Sequence, residues 1–247
     1  MKPPILPKFD RNNGWLEILP PLPPPNIATG DLKANIVVIG AGFTGLAAAR
    51  RLAELIPEKQ ILLLEADRVG NTSAGRSSGF AIDQAHNIRA KDFADNLKAE
   101  KDQLALNRAG QDYLRETVKT NNIECDWDES GKVHAAATEK GNKKLEAYAQ
   151  NMNLLKLSYT WLNSTEMKNL TGSDFYQSGL HTPGTIMMQP AKLVLGLAAN
   201  LPKNVVLYEN SPVISINASS PHSLKTPKGA IKADAIVFAN NGFAGQF

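Results

Sequence analysis

The alternation of apolar and polar positions divides this chain into short buried strands and one-sided helices. Residues 35–39 (NIVVI) are almost wholly apolar. Such a run is buried on both faces, as in the central strand of a parallel sheet. After Gly40 the period changes: over 44–56, Leu46, Ala49, Leu52, Ala53 and Ile56 share a face, while Arg50, Arg51 and Glu54 lie elsewhere, which predicts a helix stopped by Pro57. Residues 61–64 (ILLL) predict a second buried strand, closed by Glu65. Strand, turn, helix and strand within about 31 residues make one βαβ unit.

Further along, residues 68–82 are rich in Gly and Ser and read as loop. Helices are expected over 91–121, 140–155, 164–169 and 190–200, the third opened by a capping box between Asn163 and Glu166 and the last by proline in its first turn. Strands are expected at 123–127, 133–136, 205–208, 213–216 and 234–239, with a turn at 128–131. The leader, residues 1–30, carries Pro20, Pro21, Pro23, Pro24 and Pro25, which admit neither helix nor central strand. It reads as an extended arm tacked down by Trp15, Leu16 and Ile18, or as a disordered linker.

The turn between the first strand and helix is Gly40-Ala41-Gly42-Phe43-Thr44-Gly45, a G-x-G-x-x-G pattern in its proper strand-to-helix context. Gly40 permits the tight turn, Gly42 lets a pyrophosphate approach the backbone, and Gly45 lets helix and strand pack closely. The helix N-terminus offers N–H groups and positive dipole charge to the phosphates. Glu65 follows Gly40 by 25 residues, where a carboxylate accepts the ribose hydroxyls of a dinucleotide. NAD and FAD share this fingerprint. The next segment, residues 68–79 (RVGNTSAGRSSG), is dense in small residues around one central Arg76. Its backbone and hydroxyl groups suit phosphate or flavin edges.

Composition narrows the classes without adding a site. With 43% hydrophobic and 21% charged residues, the chain reads as an ordinary globular protein. A net charge of +3, its basic residues scattered, gives no footprint for nucleic acid. Cys125 is the sole cysteine, so no internal disulfide or cysteine-based zinc site is possible, and an inert thiol is expected. His86, His134, His181 and His222 have no metal-ligand spacing, so no metal is expected. Neither a signal peptide nor a run of about 18 apolar residues is evident, so no membrane association and a cytoplasmic location are expected.

At residues 68–79 the chain resembles FAD-dependent amine oxidoreductases of the D-amino-acid oxidase and glycine/sarcosine oxidase superfamily, nearest the gamma-glutamylputrescine oxidase-like branch. That branch carries R-x-G-x-x-A-S-G-R-N-x-G after the ribose-binding acid. This sequence keeps Arg68, Gly70, Gly75, Arg76 and Gly79, and departs at Ala74, where the family usually has Ser, and at Ser77, where it usually has Asn. Thr72 or Ser73 is the candidate replacement hydroxyl. Residues 189–193 (QPAKL), 209–213 (ENSPV) and 233–243 (ADAIVFANNGF) extend the likeness.

The resemblance implies an α/β fold, a Rossmann-like FAD-binding domain with a parallel sheet and flanking helices, plus a partial α+β substrate domain. On that reading residues 1–30 are the arm, 31–87 with 188–247 the discontinuous FAD domain, and 88–187 the substrate domain. The implied FAD contacts are Gly40, Gly42, Phe43, Thr44, Gly45, Glu65, Arg68, Ser73, Gly75, Arg76, Ser77, the Val213 backbone, Asn240 and Gly242. No catalytic residue is implied. Family members that tether flavin near this loop use a histidine, absent from 70–79, so FAD is expected to be non-covalent. The implied reaction is oxidative deamination of a small amine or amino acid by hydride transfer to flavin N5, at a CH–NH or CH–NH2 group.

Family chains ordinarily continue past the segment matching 233–243 with further substrate-domain strands and a Gly-rich cover for the flavin ring. A fragment, a truncated reading frame or a subunit completed by a second chain is therefore expected, and a poor oxidase if the chain acts alone. Two alternatives stay open: an NAD-dependent dehydrogenase, which leaves 68–79 unexplained, and an inactive FAD-binding remnant.

Overall fold

The computed structural model describes residues 13–84 and 97–246. Residues 1–12, His86, the domain boundary expected at 87/88 and the helix start expected at 91–96 lie outside them. In chain order the elements are α1 (Gly14–Glu17), β1 (Gly30–Ile39), α2 (Phe43–Leu55), β2 (Ile61–Leu64), a 3-10 helix (Ser73–Arg76), β3 (Phe80–Ile82) and α3 (Leu97–Thr120). Next come β4 (Lys132–Ala136), α4 (Glu139–Leu155), β5 (Thr160–Leu162), α5 (Ser164–Thr171), β6 (Ser178–Thr182) and β7 (Thr185–Met187). The last are α6 (Pro190–Ala199), β8 (Val205–Tyr208), β9 (Ser215–Asn217), β10 (His222–Thr226), β11 (Gly229–Phe238) and a second 3-10 helix (Asn241–Gln246).

The chain divides into two compact units. Unit 1 takes the chain up to Ser78, then Asn121–Cys125 and everything from Gln189 onward. Its six-stranded mixed sheet runs β8-β2-β1-β11-β10-β9. The first four strands are parallel and the last two antiparallel. The strands expected at 35–39, 61–64, 205–208 and 234–239 are the parallel four. On one face Val37, Ile39, Leu62 and Leu64 pack with Ala28, Val213, Leu224, Ile231 and Ala233. Val38, Ile61 and Leu63 turn to the other face and are fully buried. There α2 covers β1 and β2 with its buried Leu46, Ala49 and Ala53, and α6 packs beside α2. Two-sided burial is what a continuous apolar run demands.

Several expectations are corrected here. Strand β1 begins at Gly30 rather than 35, because Gly30–Ala34 pairs in register with Gly229–Ala233 although its side chains are mostly half-exposed or exposed. Backbone pairing, not burial, sets that boundary. Residues 123–127 form no strand. Ile123 and Cys125 are buried instead, Ile123 against Gly196 of α6, where an added Cβ would lie 2.3 Å from its Cγ2. The strand expected at 213–216 overlaps β9, which runs Ser215–Asn217 and leaves 213 and 214 outside it. Residues 20–29 of the leader, after the one-turn α1, form neither helix nor strand, and unit 1 includes them.

Unit 2 comprises Gly79–Thr120 and Asp126–Met188. Three antiparallel strands run β4-β6-β5, and β3 pairs separately with β7. The 68–82 stretch is thus not all loop: it holds the first 3-10 helix and β3. Helix α4 lays Leu145, Tyr148, Ala149 and Met152 onto Ala136 and Leu180. Helix α5 has the expected capping box: the Asn163 side chain accepts from the Thr165 and Glu166 N–H groups, and Glu166 accepts from the Asn163 N–H. Among the described residues, no helix is long and apolar enough to cross a membrane, and no cluster of His, Cys, Asp or Glu could hold a metal ion.

Candidate functional site

The three glycines of the β1–α2 turn answer to three different constraints. Gly40 has φ +101°, and an added Cβ would sit 2.7 Å from the Ala239 carbonyl oxygen at the end of β11. Gly45 packs on the turn itself, where a Cβ would fall 1.8 Å from the Gly40 carbonyl oxygen. Gly42 is unlike either. Its φ of −77° suits any residue, and an added Cβ would meet only the Ala74 methyl, at 3.9 Å. Nothing among the described residues demands glycine there. The open space fits a ligand that must approach the backbone closely. Gly42 is also the N-cap of α2 and supplies no side-chain cap, so the first-turn N–H groups of Phe43, Thr44 and Gly45 have no capping side chain.

Glu65 lies beside this turn and is only 5% exposed. Its Oε2 accepts from the Ala41 N–H at 2.8 Å and its Oε1 from the Asp67 N–H at 3.1 Å. Burial raises its pKa above the ordinary 4.5, while the Ala41, Asp67 and Ala66 N–H groups act the other way. A buried carboxylate with remaining lone pairs, at the end of β2 and level with the glycine turn, is placed to receive hydroxyl donors.

The segment after Glu65 folds back toward Gly42. An added Cβ on Gly75 would lie 2.0 Å from the Gly70 carbonyl oxygen, so the loop closes on itself there. This closure sets the buried Ala74 opposite Gly42. Ser73 opens the 3-10 helix and Ser77 follows it, and both are exposed. Arg76 holds the loop's shape, its Nε donating to the Asn71 carbonyl at 2.9 Å. Arg68 points elsewhere: it donates to the Pro23 carbonyl, and its Nε lies 3.2 Å from Glu209 Oε1. Glu209 also accepts from the Val69 N–H at 2.7 Å. Arg68 therefore ties the loop to β8's exit and to the leader.

Of the C-terminal candidates, Val213 is buried in the sheet's core. Asn240 follows β11 with its Cα 3.2 Å from the Cβ position of Gly40, and its Oδ1 is buried without a hydrogen-bond partner among the described residues. An orphaned acceptor beside the glycine turn suits a site completed by a ligand. Gly242 is exposed, with nothing within 4 Å of an added Cβ.

The geometry therefore gathers a glycine cradle, an uncapped helix end, a buried carboxylate, two exposed serines and an orphaned acceptor within unit 1. Residues 35–247 match the family described as FAD dependent oxidoreductase. The chain belongs to that family. Membership implies FAD rather than NAD, as the loop after Glu65 suggested. A probable oxidoreductase OrdL of Haemophilus influenzae is 31% identical over 223 residues, 85% of this chain and 49% of that protein. The gamma-glutamylputrescine oxidoreductase of Escherichia coli is 26% identical, over 87% of this chain and 50% of that one. The chain thus spans about half the length of these relatives. Among solved structures, the glycine oxidase of Geobacillus kaustophilus superposes with a TM-score of 0.69 at 22% identity, over 87% of this chain and 57% of that chain. That likeness supports the fold.

Sequence reasoning missed one residue at this site. Asn13 is buried, and its Nδ2 donates to the Gly70 and Gly75 carbonyls. An Asn opening a short apolar stretch within a proline-rich arm was the only available signal. In unit 2, a separate polar cluster surrounds Asp83, which pairs with Arg108 at 3.1 Å. Tyr148 donates to Gln84 Oε1 there, its pKa pushed up to about 12 chiefly by burial.

Proposed function

We propose that the protein oxidises the C–N bond of a small amine or amino acid, using FAD that unit 1 holds without a covalent bond. The observation that carries this reading is Gly42: it is a glycine that packing and φ do not require, facing open space at an uncapped helix end. Glu65 would accept the ribose hydroxyls of the adenosine half, and its burial strengthens such bonds. The α2 N-terminus, with the Ser73 and Ser77 hydroxyls, would receive the pyrophosphate, and the shape held by Arg76 keeps those hydroxyls in place. The Val213 backbone would lie against adenine, and Asn240 Oδ1 would gain a donor. No histidine stands in residues 70–79 to tether the flavin.

Bound FAD supplies the hydride acceptor; the protein supplies binding, orientation and exclusion of water. The substrate class is supported by the relative named gamma-glutamylputrescine oxidoreductase. Cofactor released from purified protein, identified by chromatography, should be FAD, and anaerobic addition of amines or amino acids should bleach its visible bands. Protein that binds no flavin after reconstitution refutes the cofactor reading. A flavin that no amine or amino acid reduces refutes the substrate reading alone.

A further inference from the structure

The family match begins at residue 35, yet the cofactor loop is held by a residue well before it. Asn13 is 4% exposed, whereas residues 14–25 after it are half-exposed or exposed. Its side chain uses both N–H donors and its carbonyl oxygen. Nδ2 donates to the Gly70 carbonyl at 3.0 Å and to the Gly75 carbonyl at 3.1 Å, and Oδ1 accepts from the Trp15 N–H at 3.2 Å. The Asn13 carbonyl accepts from the Leu16 and Glu17 N–H groups, making α1 a stiff single turn. Leu16 then packs on Gly70, its Cδ2 3.4 Å from an added Cβ. Gln189 Nε2 donates to the Trp15 carbonyl while its Oε1 caps α6. These contacts fix α1 on both sides.

The two carbonyls that Asn13 gathers are the two ends of the loop that sets Ala74 opposite Gly42. Without the amide they would point at each other's surroundings with no shared donor, and the 70–75 loop could open. We propose that Asn13 is a cofactor-positioning residue: the leader acts as a strap that locks the 70–77 loop in the shape that receives the FAD pyrophosphate. This rests on the reading that unit 1 binds FAD.

The test uses full-length protein, its FAD dissociation constant measured by flavin fluorescence quenching and the melting of the FAD-free form followed separately. Asn13→Ala and the near-isosteric Asn13→Asp should each weaken FAD by about tenfold or more, since two buried carbonyls lose their donor. Asn13→Gln, which keeps the amide, should recover part of the loss. Asn26→Ala removes a different leader anchor, an exposed bond to the Leu207 carbonyl, and should change affinity by no more than about twofold. Should the Asn13 variants fail to fold, hydrogen exchange in the unaltered protein decides: by linkage, FAD binding should protect the Leu16 and Glu17 amides together with 70–77. Asn13→Ala with parent affinity, whatever its melting temperature, overturns the proposal. So does FAD protection of 70–77 that leaves Leu16 and Glu17 unchanged. Parent protein that binds no FAD instead defeats the underlying reading, and the strap with it.

Discussion

The sharpest test of the site contrasts two alanines three residues apart. At Gly45 a Cβ would lie 1.8 Å from the Gly40 carbonyl oxygen, about 1.5 Å inside ordinary contact. That carbonyl cannot easily retreat, because the Ala41 N–H of the same peptide group is bonded to Glu65 Oε2 at 2.8 Å. Overpacking a rigid site costs about 1–3 kcal/mol or more, and alanine's helix preference returns about 1. With backbone as the obstacle, the upper end applies, so Gly45→Ala should cost the FAD-free protein about 2 kcal/mol, roughly 4–8 °C of melting temperature in a chain of this size. At Gly42 the arithmetic differs. The backbone angles of −77° and −176° suit alanine and the nearest atom is 3.9 Å away. The gain of about 0.4–1 kcal/mol through the unfolded state is offset by alanine's poorer fit at an N-cap, so Gly42→Ala should leave FAD-free stability within about 1 kcal/mol of the parent. The same methyl would hold phosphate oxygens off the helix N–H groups. Losing two charge-assisted bonds of about 1.5–3 kcal/mol each predicts FAD binding weakened about 100-fold or more. Thermal melting of both FAD-free variants, with FAD titration of each, measures the four quantities. Gly42→Ala protein that binds FAD like the parent, or melts as low as Gly45→Ala, refutes the assignment of Gly42 to the ligand.

Three other outcomes are expected. Glu65 has its pKa raised by burial, so the stability it contributes is fully present below the unfolded value of about 4.5 and is lost as pH rises through its folded pKa; Glu65→Gln should flatten that dependence in urea unfolding of FAD-free protein from pH 4 to 7, and should weaken FAD by at most a few kcal/mol. Arg68→Ala should lower FAD-free stability by about 2–4 kcal/mol in the same assay, because Glu209 keeps only the Val69 N–H in a largely buried setting; an unchanged unfolding midpoint would return Arg68 to the ligand. Asn163→Ala should cost unit 2 about 1 kcal/mol by removing the capping box on α5, read as an earlier loss of amide protection over Ser164–Thr171.

The sequence by itself determined the βαβ unit. Residues 35–39 and 61–64 are apolar on both faces and 44–56 on one, and Gly40, Gly42, Gly45 and Glu65 stand at the joints. Such local patterns are readable because burial repeats with the element's own period. Tertiary structure decided what had no period to read. Strands β5, β6 and β7 are short and mixed in polarity, and are held by ladder bonds to partners well separated in the sequence, while β10, equally mixed, is held between its sequence neighbours β9 and β11. Ile123 and Cys125, apolar enough to suggest a strand, are buried instead, Ile123 beside α6. Arg68, an FAD contact implied by the family resemblance, pairs with Glu209, 141 positions away along the sequence. Asn13 looked like an ordinary leader residue until folding brought the Gly70 and Gly75 carbonyls to its amide. Side-chain chemistry tells which bonds a residue can make; only the folded chain sets which partner is within reach.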